Sequence, residues 1–231
     1  MVERAGRGVA RDGSRRVTLL AVAVVTLALA TGPAASQVRT APPPPPNAEA
    51  EARAITQMVT AAEVAEWARD HRDAQAMVVA ARILSDIQTR GANGDAPFLT
   101  VAALLDEAEA LAGSDRAVLD QIARLRSPDK GVRGSLFGRG PIVVVRRLRA
   151  RETYGFTIDA RRNEVLRVAA IGDGDTNIDL VLRDPNGVVV CADGSRDHYP
   201  VCTVARPAGG PMRVEVVNRG EVWSRVQILT N

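Results

Sequence analysis

The chain has 231 residues, 46% hydrophobic, 25% charged and only 3% aromatic, with a formal net charge of +3. That is ample apolar material for a globular interior, but one built from Val, Leu, Ile and Ala rather than from rings. The basic excess sits entirely in residues 1–36, where five arginines face Glu3 and Asp12, and the other 25 basic and 25 acidic residues cancel. Without residues 1–36 the chain lacks the net basic character that nucleic-acid binding requires.

Residues 1–36 read as a cleavable export signal. Arg4, Arg7, Arg11, Arg15 and Arg16 form a positive leader, Val17 to Ala30 an uncharged apolar run, and Ala34, Ala35 and Ser36 a small-residue cleavage region. The apolar run is short for a bilayer span, which disfavours the alternative of a retained anchor. Ser14 to Leu19 also resembles a twin-arginine signal, with Thr18 where a Phe is usual. The expected location is the periplasm or the medium. Residues 37–47 contain Pro42 to Pro46, a run without backbone donors that favours extended polyproline II and serves as a semi-rigid spacer.

Residues 48–126 read as an α-helical domain. Ile55, Met58, Val59 and Ala62 begin one helix, which reaches Trp67 and ends around Asp70–Asp73. Trp67, at a helix end beside apolar neighbours, is expected to anchor the core. Ala76, Val79, Ala80, Ile83, Leu84 and Ile87 follow the i, i+3, i+4, i+7 spacing of a buried stripe and stop at Gly91–Gly94. Val101, Leu104, Leu105, Ala108 and Leu111 form the next stripe, closed by Gly113; Ser114 is then expected to cap a helix carrying Val118, Ile122 and Leu125. Short connections predict two antiparallel helical hairpins, packed as a small bundle or a solenoid fragment.

Residues 127–140, with Ser127-Pro128 and Gly131, Gly134, Gly138 and Gly140, read as a linker. From 141 to 231 the period changes to two. Ile142–Val145, Tyr154–Ile158, Val165–Val168, Ile178–Leu182, Val188–Cys191, Val201–Val204, Met212–Val217 and Val222–Leu229 give about eight short strands separated by turn signals. Asp184-Pro185-Asn186-Gly187 reads as a hairpin turn. The fold class is therefore α+β with segregated halves: a small helical bundle, then an antiparallel, jelly-roll-like β-sandwich. Residues 48–126 are net −5 and residues 127–231 net +4, so the halves are expected to attract.

In Tyr154-Gly155-Phe156-Thr157-Ile158, Leu166-Arg167-Val168, Thr176 to Gly187 with its Asp-Leu-x-Leu-x-Asp-Pro-x-Gly run, and Pro207 to Val214, the stretch from Tyr154 to the C-terminus resembles the bacterial pre-peptidase C-terminal domain, a sandwich related to collagen-binding modules of secreted collagenases. The resemblance covers somewhat over a third of the chain and rests on turn and core residues rather than a chemical signature. It implies a non-catalytic accessory module. Such modules usually follow a hydrolase, whereas here about 80 helical residues take that place.

Cys191 and Cys202 are the only cysteines, and the ten residues between them, with Gly194 and Pro200, allow neighbouring strands to turn back; in an oxidising compartment a disulfide is expected. Asp173, Asp175 and Asp193 are candidate metal ligands. The 173–184 stretch is not an EF-hand, since Ile178 and Asp184 stand where Gly and Glu are needed. The resemblance still allows calcium, because some relatives hold it through acidic loop residues; the alternative is a polar turn in which Asp179 bonds locally. No other cofactor is expected. Arg147, Arg149 and Arg151, which would share one face of a strand, are candidate contacts for an anionic lipid or polysaccharide, with a solvated sheet face as the alternative. His71 and His198 are the only histidines, and neither Gly-x-Ser-x-Gly nor His-Glu-x-x-His occurs, so the chain is not expected to be an enzyme. The expected function is an exported module that binds a protein or glycan surface of the envelope or the medium. The alternatives are an assembly factor acting through its helices, and a minor hydrolase.

Overall fold

The structure, a computed structural model, describes residues 47–91, 94–127 and 140–231. The expected export signal, all but Asn47 of the proline spacer, and residues 128–139 of the expected linker lie outside the described residues. Four helices precede most of the sheet: α1 (Ala48–His71), α2 (Ala74–Ser85), α3 (Val101–Ala112) and α4 (Arg116–Arg126). Each begins on a side chain that satisfies backbone N–H groups left without helical partners, a contact worth about 1 kcal/mol. Asn47 accepts from Ala50, Asp73 from Ala76, Thr100 from Ala103, and Asp115 from Ala117 and Val118. The cap of α4 is thus Asp115, one residue beyond the expected Ser114.

Two expectations about helix faces change. In α2 the buried residues are Met77, Val78, Ala80, Ala81 and Leu84, while Val79 is 41% exposed. This helix is apolar around most of its circumference, so periodicity alone leaves two arcs equivalent, and packing against α1 and α3 chooses between them. Trp67, expected in the core, is half exposed and stacks on His71 one turn later, with ring centroids 4.1 Å apart. The inward face of α1 near it is Ala61, Ala62, Ala65 and Ala68, all buried. Alanines let the neighbouring elements approach too closely for an indole to fit between them.

The strands are β1 (Arg90–Gly91), β2 (Ile142–Leu148), β3 (Thr153–Ala160), β4 (Glu164–Gly172), β5 (Ile178–Arg183), β6 (Val189–Asp193), β7 (Val201–Arg206), β8 (Gly210–Asn218) and β9 (Ser224–Thr230). They form a five-stranded sheet, β1-β2-β9-β4-β7, and a four-stranded sheet, β3-β8-β5-β6. All pairings are antiparallel except the two-residue β1 on β2. The α+β class with a sandwich is as the sequence predicts.

Between the sheets lie Leu148, Leu166, Val168, Ala170, Val226 and Ile228 from one side, and Ile178, Leu180, Leu182, Met212, Val214 and Val216 from the other. The opposite face of the five-stranded sheet is covered too. Val143, Ala169, Ile171 and Leu229 join Ile55, Met58, Val59, Met77, Leu104 and Leu105 in one continuous core, with α1 lying along β4. That explains the unbroken apolar run Val168 to Ile171: successive residues point to opposite faces, and both faces are dry.

A buried ion cluster pins the start of α1. Glu51, 3% exposed, accepts from Arg90 at 3.0 Å and from Arg161, in the β3–β4 turn, at 2.7 Å. Nearby, the Arg167 guanidinium donates to the Ala52 carbonyl. No helix among the described residues is long and apolar enough to cross a membrane.

Candidate functional site

Three loops meet at one end of the sandwich: the β2–β3 turn (149–152), the β4–β5 loop (173–177) and the β8–β9 loop (219–223). Asn218, fully buried at the end of β8, ties two of them together. Its side-chain amide donates toward the carbonyls of Val222 (2.8 Å), Arg149 (3.0 Å) and Leu148 (3.4 Å), and its oxygen accepts from the Gly220 N–H at 2.8 Å. The Arg151 N–H donates to the Gly220 carbonyl. A Cβ at Gly220 would fall 2.4 Å from Cγ2 of Thr176, so any larger residue here would displace that side chain. On the far side of the loop, fully buried Ser224 donates to Asp173 at 2.6 Å, and the second Asp173 oxygen accepts from the Arg225 N–H at 2.9 Å.

This scaffold holds two large apolar side chains in water. Val222 is 51% exposed and Trp223 53%. Exposed single hydrophobes are ordinary, but a Val-Trp pair on a loop fastened at both ends is preorganised, so little ordering cost remains when it docks. The Arg147 guanidinium lies 5.9 Å from the Trp223 ring centroid and 3.2 Å from the Asp95 carboxylate. Glu221, two residues before Trp223, pairs with Arg151.

The arginines singled out in the sequence therefore gather near this rim, but not as a stripe. β2 ends at Leu148, so only Arg147 projects from a strand; Arg149 and Arg151 belong to the turn, and Arg151 adopts a left-handed φ of 57°. Arg147 and Arg151 are ion-paired, whereas the Arg149 guanidinium has no ion-pair partner among the described residues.

The three aspartates do not form a ligand set. Asp173 is occupied by Ser224 and Arg225, and Asp175 is exposed. Asp193 accepts from Ser195 and, at 2.8 Å, from the Val201 N–H. Burial opposes ionisation of Asp193, yet these hydrogen bonds hold its carboxyl below the ordinary carboxylate value. Among the described residues no three His, Cys, Asp or Glu side chains stand where they would hold a metal ion. Cys191 and Cys202 are bonded, Cα atoms 5.9 Å apart, and staple β6 to β7, the edge strands of the two sheets. Closing so short a loop restricts the unfolded chain by about 2–3 kcal/mol.

A second polar cluster lies where the β6–β7 loop meets α1. His198 and Tyr199 have ring centroids 4.0 Å apart, and the His198 imidazole lies 3.6 Å from Glu66. Burial, reinforced by a hydrogen bond with Glu66, raises the Tyr199 hydroxyl far above its usual value. Partial desolvation raises the Glu63 carboxyl as well, although the residue is exposed, and the carboxylates of Asp197 and Glu66 push it the same way. Both histidines are thus in structural contacts: His198 faces α1, and His71 stacks on Trp67 with Nδ1 2.8 Å from the Trp67 carbonyl oxygen.

Val222 and Trp223, expected to open the last strand, precede it instead: β9 begins at Ser224. A signal existed: Asn218-Arg219-Gly220-Glu221 is turn-forming, and a large apolar pair directly after a turn need not be buried.

No protein-family model matches this chain, and no curated protein does. Solved structures similar to part of it include the Yersinia pseudotuberculosis-derived mitogen, at 8% identity over 40% of this chain and 85% of the other, with a TM-score of 0.33. The pre-peptidase C-terminal domain of a Bacillus anthracis collagenase matches at 7% identity over 38% and 87%, TM-score 0.32. PliG of Aeromonas hydrophila, a periplasmic inhibitor of g-type lysozyme, matches at 14% identity over 39% and 86%, TM-score 0.30. Similarity at this level assigns the chain neither a family nor an activity.

Proposed function

We propose that the protein is an exported, non-enzymatic binding protein whose sandwich rim docks onto a protein or glycan surface. The single observation that carries this reading is the fastened loop that presents Val222 and Trp223 to solvent beside arginines. Trp and Arg are the side chains that most often dominate docking energies, and a preset backbone keeps the ordering cost low. Export is supported by the form of residues 1–36 and by the Cys191–Cys202 bond, which persists in oxidising compartments. The accessory-module reading draws on the resemblance of residues 154–231 to the pre-peptidase C-terminal family. The non-enzymatic reading draws on the two histidines, each engaged in a packing contact.

The test is binding of the purified chain from residue 37 onward to immobilised envelope fractions. Trp223→Ala should weaken capture by about tenfold or more while the melting temperature holds, in keeping with an exposed anchor residue. Full capture by a folded Trp223→Ala protein would sink the proposal. One observation favours a second reading, an assembly factor acting through its helices: Trp67 is also half exposed, on α1. Loss of capture on Trp67→Ala, with Trp223→Ala unaffected, would select it.

A further inference from the structure

We infer that Trp223 is the stacking platform of a site for an uncharged glycan, with the Arg147–Asp95 and Arg151–Glu221 pairs supplying its hydrogen-bonding rim. This deepens the docking function proposed above and rests on it.

The charge pattern around Trp223 discriminates among partners. Three arginines, Arg147, Arg149 and Arg151, stand with three carboxylates, Asp95, Glu152 and Glu221. Glu152 accepts from the Arg149 N–H at 2.6 Å, and the other two carboxylates hold guanidinium groups. The sum is zero. A polyanion or an anionic bilayer is drawn by a net positive field, and its phosphates or sulfates would have to displace carboxylates already in place. A neutral ligand meets no such opposition.

The same groups suit hydroxyls. A sugar hydroxyl both donates and accepts; a guanidinium beside a carboxylate offers five N–H donors next to two acceptor oxygens. The side chains of both pairs are half to three-quarters exposed, so they remain open to a ligand while each restrains the other. The axial C–H groups of a pyranose form an apolar, weakly positive face that fits the negative face of an indole. Val222, adjacent and equally exposed, extends that apolar surface. Because the loop is already fastened by Asn218, Gly220 and Ser224, the platform exists before the ligand arrives.

Trp67 and Trp223 are the only tryptophans, so in a Trp67→Phe background the fluorescence reports Trp223 alone. Titration of that protein with cello-, malto- and chito-oligosaccharides should give a saturable blue shift with at least one series. The affinity should be nearly unchanged between low and high salt, because no counterions are released. By calorimetry, Trp223→Ala should weaken binding by about threefold to tenfold and Trp223→Tyr should largely restore it, as expected for a stacking contact. Absence of any saturable response up to about 10 mM sugar, a range that would reveal even weak association, overturns the inference. Binding to dextran sulfate or to phosphatidylglycerol vesicles with steep salt dependence, in place of the neutral sugars, overturns it as well. The two levels separate cleanly. If envelope capture requires Trp223 but none of the sugars binds, the glycan inference falls and the docking function stands. If capture survives Trp223→Ala, the docking function falls too.

Discussion

The two faces of the five-stranded sheet are buried by different means. The inner face meets another sheet, and Leu, Val, Ile and Met side chains interdigitate across the gap, among them Leu180, Met212 and Ile228 at 0–1% exposure. The outer face meets α1, whose buried side chains mix large and small: Ile55, Met58 and Val59 with Ala61, Ala62, Ala65 and Ala68. Large side chains fill a sheet-to-sheet space about 10 Å deep, whereas alanines set among larger residues let a helix come close to its neighbours. The inner layer consequently holds itself by bulk. The outer one adds polar fasteners, the Glu51 cluster at one end of α1 and the Glu66–His198 contact toward the other.

That contrast can be broken first at the interior. Leu180→Ala removes a fully buried side chain from between the sheets and should cost about 3 kcal/mol in urea unfolding. Because the helices rest on the same sheet, their circular-dichroism signal should be lost in the same transition as the tertiary fluorescence. Separate transitions would show that the two layers are independent.

A smaller effect is expected at the helix seam. Glu51→Ala leaves Arg90 and Arg161 facing each other without their shared carboxylate. Fully buried pairs lose about 3–5 kcal/mol when one partner goes, but both guanidiniums here keep some access to water, so about 2 kcal/mol is expected. Unchanged stability in Glu51→Ala would mean that apolar packing alone holds α1 on the sheet.

The smallest expected effect, and the one that sharpens the contrast most, is on pH dependence. Glu63, at the seam, has its pKa raised above 4.5, so the folded state holds its proton more tightly than the unfolded chain does. Stability from this group is complete below 4.5 and is lost as pH rises through the raised value. Glu215, on the outer face of the four-stranded sheet, is lowered by hydrogen bonds from Arg213 and Arg183. Its contribution is present above 4.5 and is lost as pH falls through the lowered value. The two layers thus weaken from opposite sides. Thermal melts should show Glu63→Gln flattening the decline on the alkaline side and Glu215→Gln the decline on the acid side. Identical pH profiles for both variants would contradict this assignment.

Much of the local structure was legible in the residues. Asp70–Asp73 at the end of α1, Gly113 after α3, the alternation of Ile178, Leu180 and Leu182, and the turn Asp184 to Gly187 each act within a few residues of themselves. The candidate site was legible in part. Arg147, Arg149 and Arg151 stood out as charges, but not that Asp95 and Glu221 answer two of them. The two tryptophans are not legible at all: the local pattern puts Trp67 in the core and Trp223 in a strand, and both are half exposed.

The sequence by itself determined the order of four helices and a set of short strands, the α+β class and the pairing of its only two cysteines. Hydrophobic period, capping groups and turn residues are properties of neighbours along the chain, and a single pair leaves one bond to make. Only the tertiary structure decided which arc of α2 is buried, that Glu51 lies beneath Arg161 at a separation of 110 residues, and that Trp223 stays in water. Those outcomes depend on which surface arrives opposite a given side chain. Where a face has more than one apolar arc, or a residue follows a turn, local pattern leaves that choice open and the packing of distant segments makes it.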